Sequence, residues 1–137
     1  MKEYDFVIDM EVRDYELDIQ GIVNNSVYQN YLEHARHKFL QAIGIDFAQM
    51  HEDGRDPVVT RAEIDYLQPL RSGDLFYVGT KLSHEGRLRH IFHQEMIRYQ
   101  DDAIICKAKI TATVLKGGKP IPARDFQEVA EKFRATR

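Results

Sequence analysis

A single helical stretch, set into a chain otherwise written in period two, limits the fold of this sequence more than any other feature. Residues 4 to 13 alternate, with Phe6, Ile8, Met10 and Val12 on one side and Asp5, Asp9, Glu11 and Arg13 mostly on the other. That is the pattern of a strand with one wet face. From Val27 to about Ile43 the period becomes helical, and Tyr28, Tyr31, Leu32, Ala35, Phe39, Ala42 and Ile43 form one apolar stripe. Asn25 or Ser26 suits the N-cap, because its side-chain oxygen accepts an orphan backbone N–H. Gly44 suits the stop.

Period two then returns. Val58, Thr60, Ala62, Ile64 and Tyr66 alternate with Arg61, Glu63 and Asp65, after a helical turn at Phe47–Met50 and a turn-rich stretch from His51 to Pro57. Further strands are predicted at 75 to 83, at 87 to 99 and across Cys106–Val114. The second of these has two mixed faces, which leaves room for a bulge. Gly117-Gly118-Lys119-Pro120 ends the last strand, and 124 to 134 suit a short amphipathic helix through Phe126, Val129, Ala130 and Phe133. A meander of strands is most simply antiparallel, and one apolar helix must bury its stripe against it. The expectation is one α+β domain over residues 1–137, long enough at 43% hydrophobic content to build a core.

Composition removes several functions. A net charge of -3, a pI near 6.1 and no basic stretch mixed with aromatics argue against nucleic acid. A lone Cys106 rules out an internal disulfide framework and suits a reducing cytoplasm. No apolar run approaches the roughly 18 residues of a membrane span. Met1-Lys2-Glu3-Tyr4-Asp5 has no apolar core of the kind a secretory leader needs. No metal site is expected. His90 and His93 fall on different strand faces without a Cys or carboxylate cluster, and the Asp14-x-Glu16-x-Asp18 spacing lacks the glycine position and the twelfth-position Glu of a calcium loop.

The chemistry concentrates at Asp18-Ile19-Gln20-Gly21-Ile22-Val23-Asn24-Asn25, directly ahead of the helix. A carboxylate there faces unpaired N–H groups at the positive end of a helix dipole, a minimal kit for attack on an ester or thioester. The plainer reading is an acidic loop with a turn glycine and two asparagines that cap. Glu33 lies off the apolar stripe and suits an exposed i,i+4 pair with His37. Ser or Cys nucleophiles find no support, since no Gly-x-Ser-x-Gly elbow occurs and Cys106 sits at an apolar strand position.

Asp18, Gly21, Ile22-Val23, Tyr28 and Glu33-His34-Ala35-Arg36 resemble, in order, the motif of the hotdog-fold acyl-CoA thioesterases of the 4-hydroxybenzoyl-CoA thioesterase-like family. Val23-Asn24-Asn25 is similar to a run in plant acyl-ACP thioesterases, and Ile64-Asp65-Tyr66-Leu67-Gln68-Pro69 followed by Gly73-Asp74 resembles the family's second segment. The chain departs from the pattern at Ile19-Gln20, where small residues or Pro are usual, and at Asn24 and Asn25, where an aromatic residue and a His are common. The resemblance implies a hotdog fold, an antiparallel sheet wrapped around one long central helix, and acyl-CoA hydrolysis without a cofactor; the cytoplasmic location expected is the one the lone cysteine suits. It implies Asp18 as nucleophile or general base, the Asn25 N–H as carbonyl-polarising donor and Gly21 as the turn that passes close to substrate. Gln20, Val23, Asn24 and Tyr28 are then substrate-binding candidates. Arg61, Arg71, Arg87, Arg89 and Arg98 are candidates for the coenzyme phosphates, with Arg87 and Arg89 preferred because a loop arginine binds phosphate bidentately. A homodimer or homotetramer with sites at the subunit interface is implied as well. The alternatives are an acyl-ACP thioesterase, a non-catalytic hotdog protein that binds acyl-CoA, and, third, a hotdog dehydratase, which would need a positioned His.

Overall fold

The computed structural model describes residues 3–136. Strand β1 (Phe6–Glu11) leads through a 3-10 turn at Asp14–Glu16 and the 17–24 loop into α1 (Asn25–Ala42) and the short α2 (Phe47–Glu52). Strands β2 (Arg55–Tyr66), β3 (Leu75–Glu85), β4 (Arg89–Arg98), β5 (Ile104–Lys116) and β6 (Lys119–Ile121) follow, and α3 (Arg124–Thr136) closes the chain. Every pairing among them is antiparallel, in the order β1-β3-β4-β5-β2, with β6 paired to β5.

α1 forms where the period predicts, with two differences. Its N-cap is Asn24 rather than Asn25 or Ser26, and the Asn24 side chain accepts the Ser26 N–H at 3.2 Å. Ala42 is exposed, and Leu40 is buried in its place, one turn beyond Arg36 on the side of Tyr28 and Leu32. Phe39 and Leu32 pack into one cluster with Phe76, Val78 and Met96. A side chain of this size contributes about 1.5–3 kcal/mol when fully buried.

The strands depart from a simple meander at one place. β2 does not neighbour β3; it lies at the far edge, paired to β5. The connection 67–74 carries the chain back across the end of the sheet, where Ile22 bridges Arg71 and the Val23 N–H donates to the Leu70 carbonyl at 2.9 Å. β2 also starts at Arg55, inside the stretch read as turn, and Pro57 is tolerated there because β2 is an edge strand. β4 reads as mixed on both faces because both are largely buried, and its register slips between Met96 and Ile97. Gly117 and Gly118 both take positive φ, the mark of a two-residue hairpin turn. The chain therefore folds back into β6 where the sequence suggested only an end.

α1 leans on β1 and β3 rather than on β2. A seam between α1 and β2 stays open, and its upper end is the candidate site. No helix of the described residues is long and apolar enough to cross a membrane.

Candidate active site

Asp18 stands at the base of a three-residue hairpin loop. Leu17 bridges Val23, the Asp18 N–H donates to the Ile22 carbonyl at 2.8 Å, and the Gly21 N–H returns to the Asp18 carbonyl at 3.1 Å. Closing so short a loop needs one left-handed residue, and Gly21 supplies it with φ +79°. The Asp18 side chain is half-buried. Its Oδ1 accepts the N–H groups of Gln20 at 2.8 Å and Ile22 at 3.4 Å. Its Oδ2 has no partner among the described residues, so one carboxylate oxygen is fixed by the loop and the other is available.

The loop is stapled to the start of α1. The Asn24 N–H donates to the Glu16 carbonyl at 3.0 Å, and the Glu16 carboxylate accepts the Tyr31 hydroxyl and the Arg13 N–H, both at 2.7 Å. At the helix start, the Ser26 and Val27 N–H groups go to the side chain and carbonyl of Asn24. The Asn25 N–H has no protein acceptor among the described residues. Asn25 lines a cleft of about 180 Å³, with Val23 and Tyr28 on the same side and Tyr66 to Pro69 on the other.

Tyr28 joins the two parts. Its hydroxyl accepts the Leu70 N–H at 3.0 Å, and burial first, with Asp18 among the lesser causes, pushes its pKa up. The phenol therefore stays neutral at neutral pH. Tyr66 packs edge-on against it at 5.6 Å between ring centres.

Val23, Asn25 and Tyr28 thus share the cleft, with Asp18 just outside its lining on the adjoining loop. The Asn24 side chain is occupied as a cap, and Gln20 is exposed with only its backbone N–H engaged. Arg87 and Arg89 sit at the β3–β4 turn, at the other end of β4, about 30 Å along the strand from the end nearer the cleft. One protomer does not bring them to Asp18. Arg98 is engaged with Asp101, Asp74, the Gln68 side chain and the Pro69 carbonyl, so it clamps the cleft wall. Arg61 pairs with Glu63. Arg71 lies beside Ile22; its backbone N–H donates to Asp74 Oδ2 at 2.9 Å, and its guanidinium pairs with no carboxylate among the described residues. Glu33 and His37 approach to 3.9 Å as an exposed pair.

The wall from Tyr66 to Pro69 is absent from the candidates drawn from sequence. Its signal was the second resembling segment, which named the residues but not where the chain carries them. Burial pushes the Cys106 thiol up to about 12, which leaves it protonated and inert at neutral pH. Among the described residues, no group of three or more His, Cys, Asp and Glu is placed to hold a metal ion.

The thioesterase-like superfamily profile matches residues 12–133. The chain is 36% identical, over 92% of its length, to the chloroplastic acyl-acyl carrier protein thioesterase ATL3 of Arabidopsis thaliana, and 41% identical over 79% to ATL2 of the same plant. It spans 66% and 57% of the length of these two relatives. A thioesterase of Thermus thermophilus, solved in complex with coenzyme A and Zn, is 29% identical, with a TM-score of 0.83 over 98% of both chains.

Proposed function

Because the chain belongs to the thioesterase-like superfamily and has its hotdog fold, we propose that it hydrolyses an acyl thioester of coenzyme A to the free acid and the thiol. The Asp18 carboxylate supplies or activates the attacking oxygen, and the Asn25 N–H holds the oxyanion that develops on the carbonyl. By direct attack, an Asp18 oxygen bonds to the acyl carbon as the C–S bond breaks. The thiolate leaves and takes a proton, and water then opens the anhydride. By the general-base route, Asp18 takes a proton from the water that attacks. The observation that carries this reading is the Asn25 N–H, a helix-terminal donor without a protein acceptor, at a cleft beside a carboxylate with one available oxygen.

A second reading, an acyl carrier protein thioester as substrate, draws on the likeness to the two plant acyl-acyl carrier protein thioesterases. Thiol release from matched acyl-CoA and acyl-carrier substrates, across chain lengths, separates the two. The coenzyme A reading expects turnover of at least one free acyl-CoA. Turnover of carrier-bound acyl groups alone favours the second. Tight acyl-CoA binding without any thiol release overturns both and leaves a ligand-binding protein.

The assembly proposed is a homodimer formed along β2. That strand is a 12-residue edge, and a long open edge invites pairing with a second copy. Val59, Tyr66 and Leu67 are exposed on or beside it, and Ile19 is exposed at the tip of the Asp18 loop. A second copy is also what would bring Arg87 and Arg89 to a cleft. Light scattering that gives a monomer would contradict this assembly.

A further inference from the structure

The open seam between α1 and β2 continues well beyond the cleft. On α1 the lining steps at helical spacing from Asn25 through Gln29 and Glu33 to Leu40; on β2 it descends from Tyr66 to Val59. Two further cavities of about 170 and 460 Å³ follow the first, and they share Glu33, Arg36 and Val59. The small side chains of Ala62 and Ala112 belong to their walls, and Phe92 and Phe126 line the far end. The last two share walls, and the first adjoins them along the seam, with Tyr28 next to Gln29 on α1 and Tyr66 two residues from Ile64 on β2. This row of cavities, the trough, spans 11 helical steps from Asn25 to Arg36, or about 16 Å.

Arg36 is the one arginine or lysine in the walls of this trough; His37 and His51 line it too, and His51 is paired with Asp56 at 2.7 Å. Arg36 is half-buried, and its Nη1 donates to Gln94 Oε1 at 3.1 Å. Gln94 is buried with its amide fully engaged, since its Nε2 donates to the Leu32 carbonyl and to Thr80 Oγ1. The guanidinium is thereby fixed by a neutral group. No carboxylate among the described residues lies within ion-pair distance of it, and its other N–H groups have no described acceptor. Glu33, which shares these walls with Arg36, is exposed and approaches His37. Burial lowers the pKa of Arg36, and the charge of Glu33 partly opposes this. A partly buried charge without a partner is costly, and a ligand oxygen that accepts from it removes that cost. A carboxylate does so best, through two parallel hydrogen bonds.

We propose that Arg36 is a specificity-determining residue. It accepts into the trough acyl groups that carry an oxygen, a carboxylate or hydroxyl, far from the thioester, in preference to plain hydrocarbon chains. This deepens the reading of Asp18 and Asn25 as the thioester end of the site and rests on it.

The test compares dodecanoyl-CoA with the mono-CoA thioester of dodecanedioic acid, flanked by the decanoyl and tetradecanoyl pairs. Both kcat/KM for the esters and Kd for their non-hydrolysable thioether analogues are measured on the protein in its native assembly. Wild type should favour the oxygenated partner of at least one pair by about tenfold or more, the ratio one charge-assisted hydrogen bond confers. Arg36→Met, which keeps length but no donor, should collapse that ratio towards one, and Arg36→Lys should keep part of it. A purely structural Arg36 would lower stability and leave the ratio unmoved. A wild-type ratio near one in every pair overturns the proposal even if the variants do not fold. So does a ratio that survives in Arg36→Met. Preferential thioether binding without hydrolysis would overturn the thioesterase reading and leave the role of Arg36 standing.

Discussion

Replacing Gly21 with alanine isolates what the Asp18 loop requires of its backbone. Gly21 has φ +79°, and a Cβ built there meets no heavy atom within 4 Å. The cost of Gly21→Ala is therefore torsional, about 1–2 kcal/mol for an L-residue held in the left-handed region. Part of that is offset by the stiffer unfolded chain, leaving a loss of about 1 kcal/mol. If the loop relaxes instead, the Gly21 N–H to Asp18 carbonyl bond at 3.1 Å is the contact that gives, and the Asp18 side chain moves with it. Displacements of about 1 Å at a reacting group reach roughly a hundredfold in rate. Urea unfolding and thiol release, measured together, should show a stability loss near 1 kcal/mol, a fall in kcat/KM of about tenfold or more, or both. Gly21→Asn, which tolerates the left-handed region better, should recover part of each. Gly79→Ala provides the contrast, because its Cβ would run into the Tyr4 ring. It should destabilise through a clash and leave the Asp18 loop intact. Gly21→Ala indistinguishable from wild type in both assays, or Gly21→Asn no better than Gly21→Ala, would refute the backbone argument.

Two further outcomes follow from buried groups. His90 is fully buried on β4 against Phe126 at 5.1 Å, and neither ring nitrogen has a partner among the described residues. Burial lowers its pKa below the ordinary 6.5, with Asp125 opposing and His84 adding. As pH falls through that ordinary value the unfolded chain binds a proton that the native state does not, so His90 reduces stability by up to about 1.4 kcal/mol per pH unit. His90→Leu should flatten the decline in urea-unfolding free energy between about pH 7 and about pH 5; an unchanged slope contradicts it. Cys106 should resist iodoacetamide in the native protein, react once unfolded in urea, and leave thiol release intact after treatment. Fast native labelling with loss of activity would contradict its burial.

The sequence made the local parts of this molecule legible and hid the long-range ones. α1, β1, β3 and β5 follow directly from their apolar periods, and Asp18, Gly21 and Asn25 lie within eight residues of one another, so their grouping needs only local geometry. β4 was harder, because a strand buried on both faces loses its alternation. The placement of β2 at the far edge depends on how 67–74 crosses the sheet end, which no period reports. That crossing also brings Tyr66 to Pro69 opposite Asn25, and so the second wall of the cleft was missed. The arginines show the same limit. Arg98 is engaged by partners far from it in sequence, while Arg87 and Arg89 sit at the opposite end of the sheet. Arg36 was visible only as part of a resembling motif, since its half-burial and its bond to Gln94 join residues 58 apart.

The most direct test of the account is the Asp18→Asn variant. It keeps the size of the side chain and an oxygen to accept the Gln20 and Ile22 N–H groups, but it removes the carboxylate. With wild-type circular dichroism and unfolding free energy, thiol release from the best acyl-CoA should fall at least about a hundredfold, the lower range for loss of a positioned base or nucleophile. Undiminished thiol release from a folded Asp18→Asn protein would contradict the central claim that this carboxylate and the Asn25 N–H act on one acyl carbon.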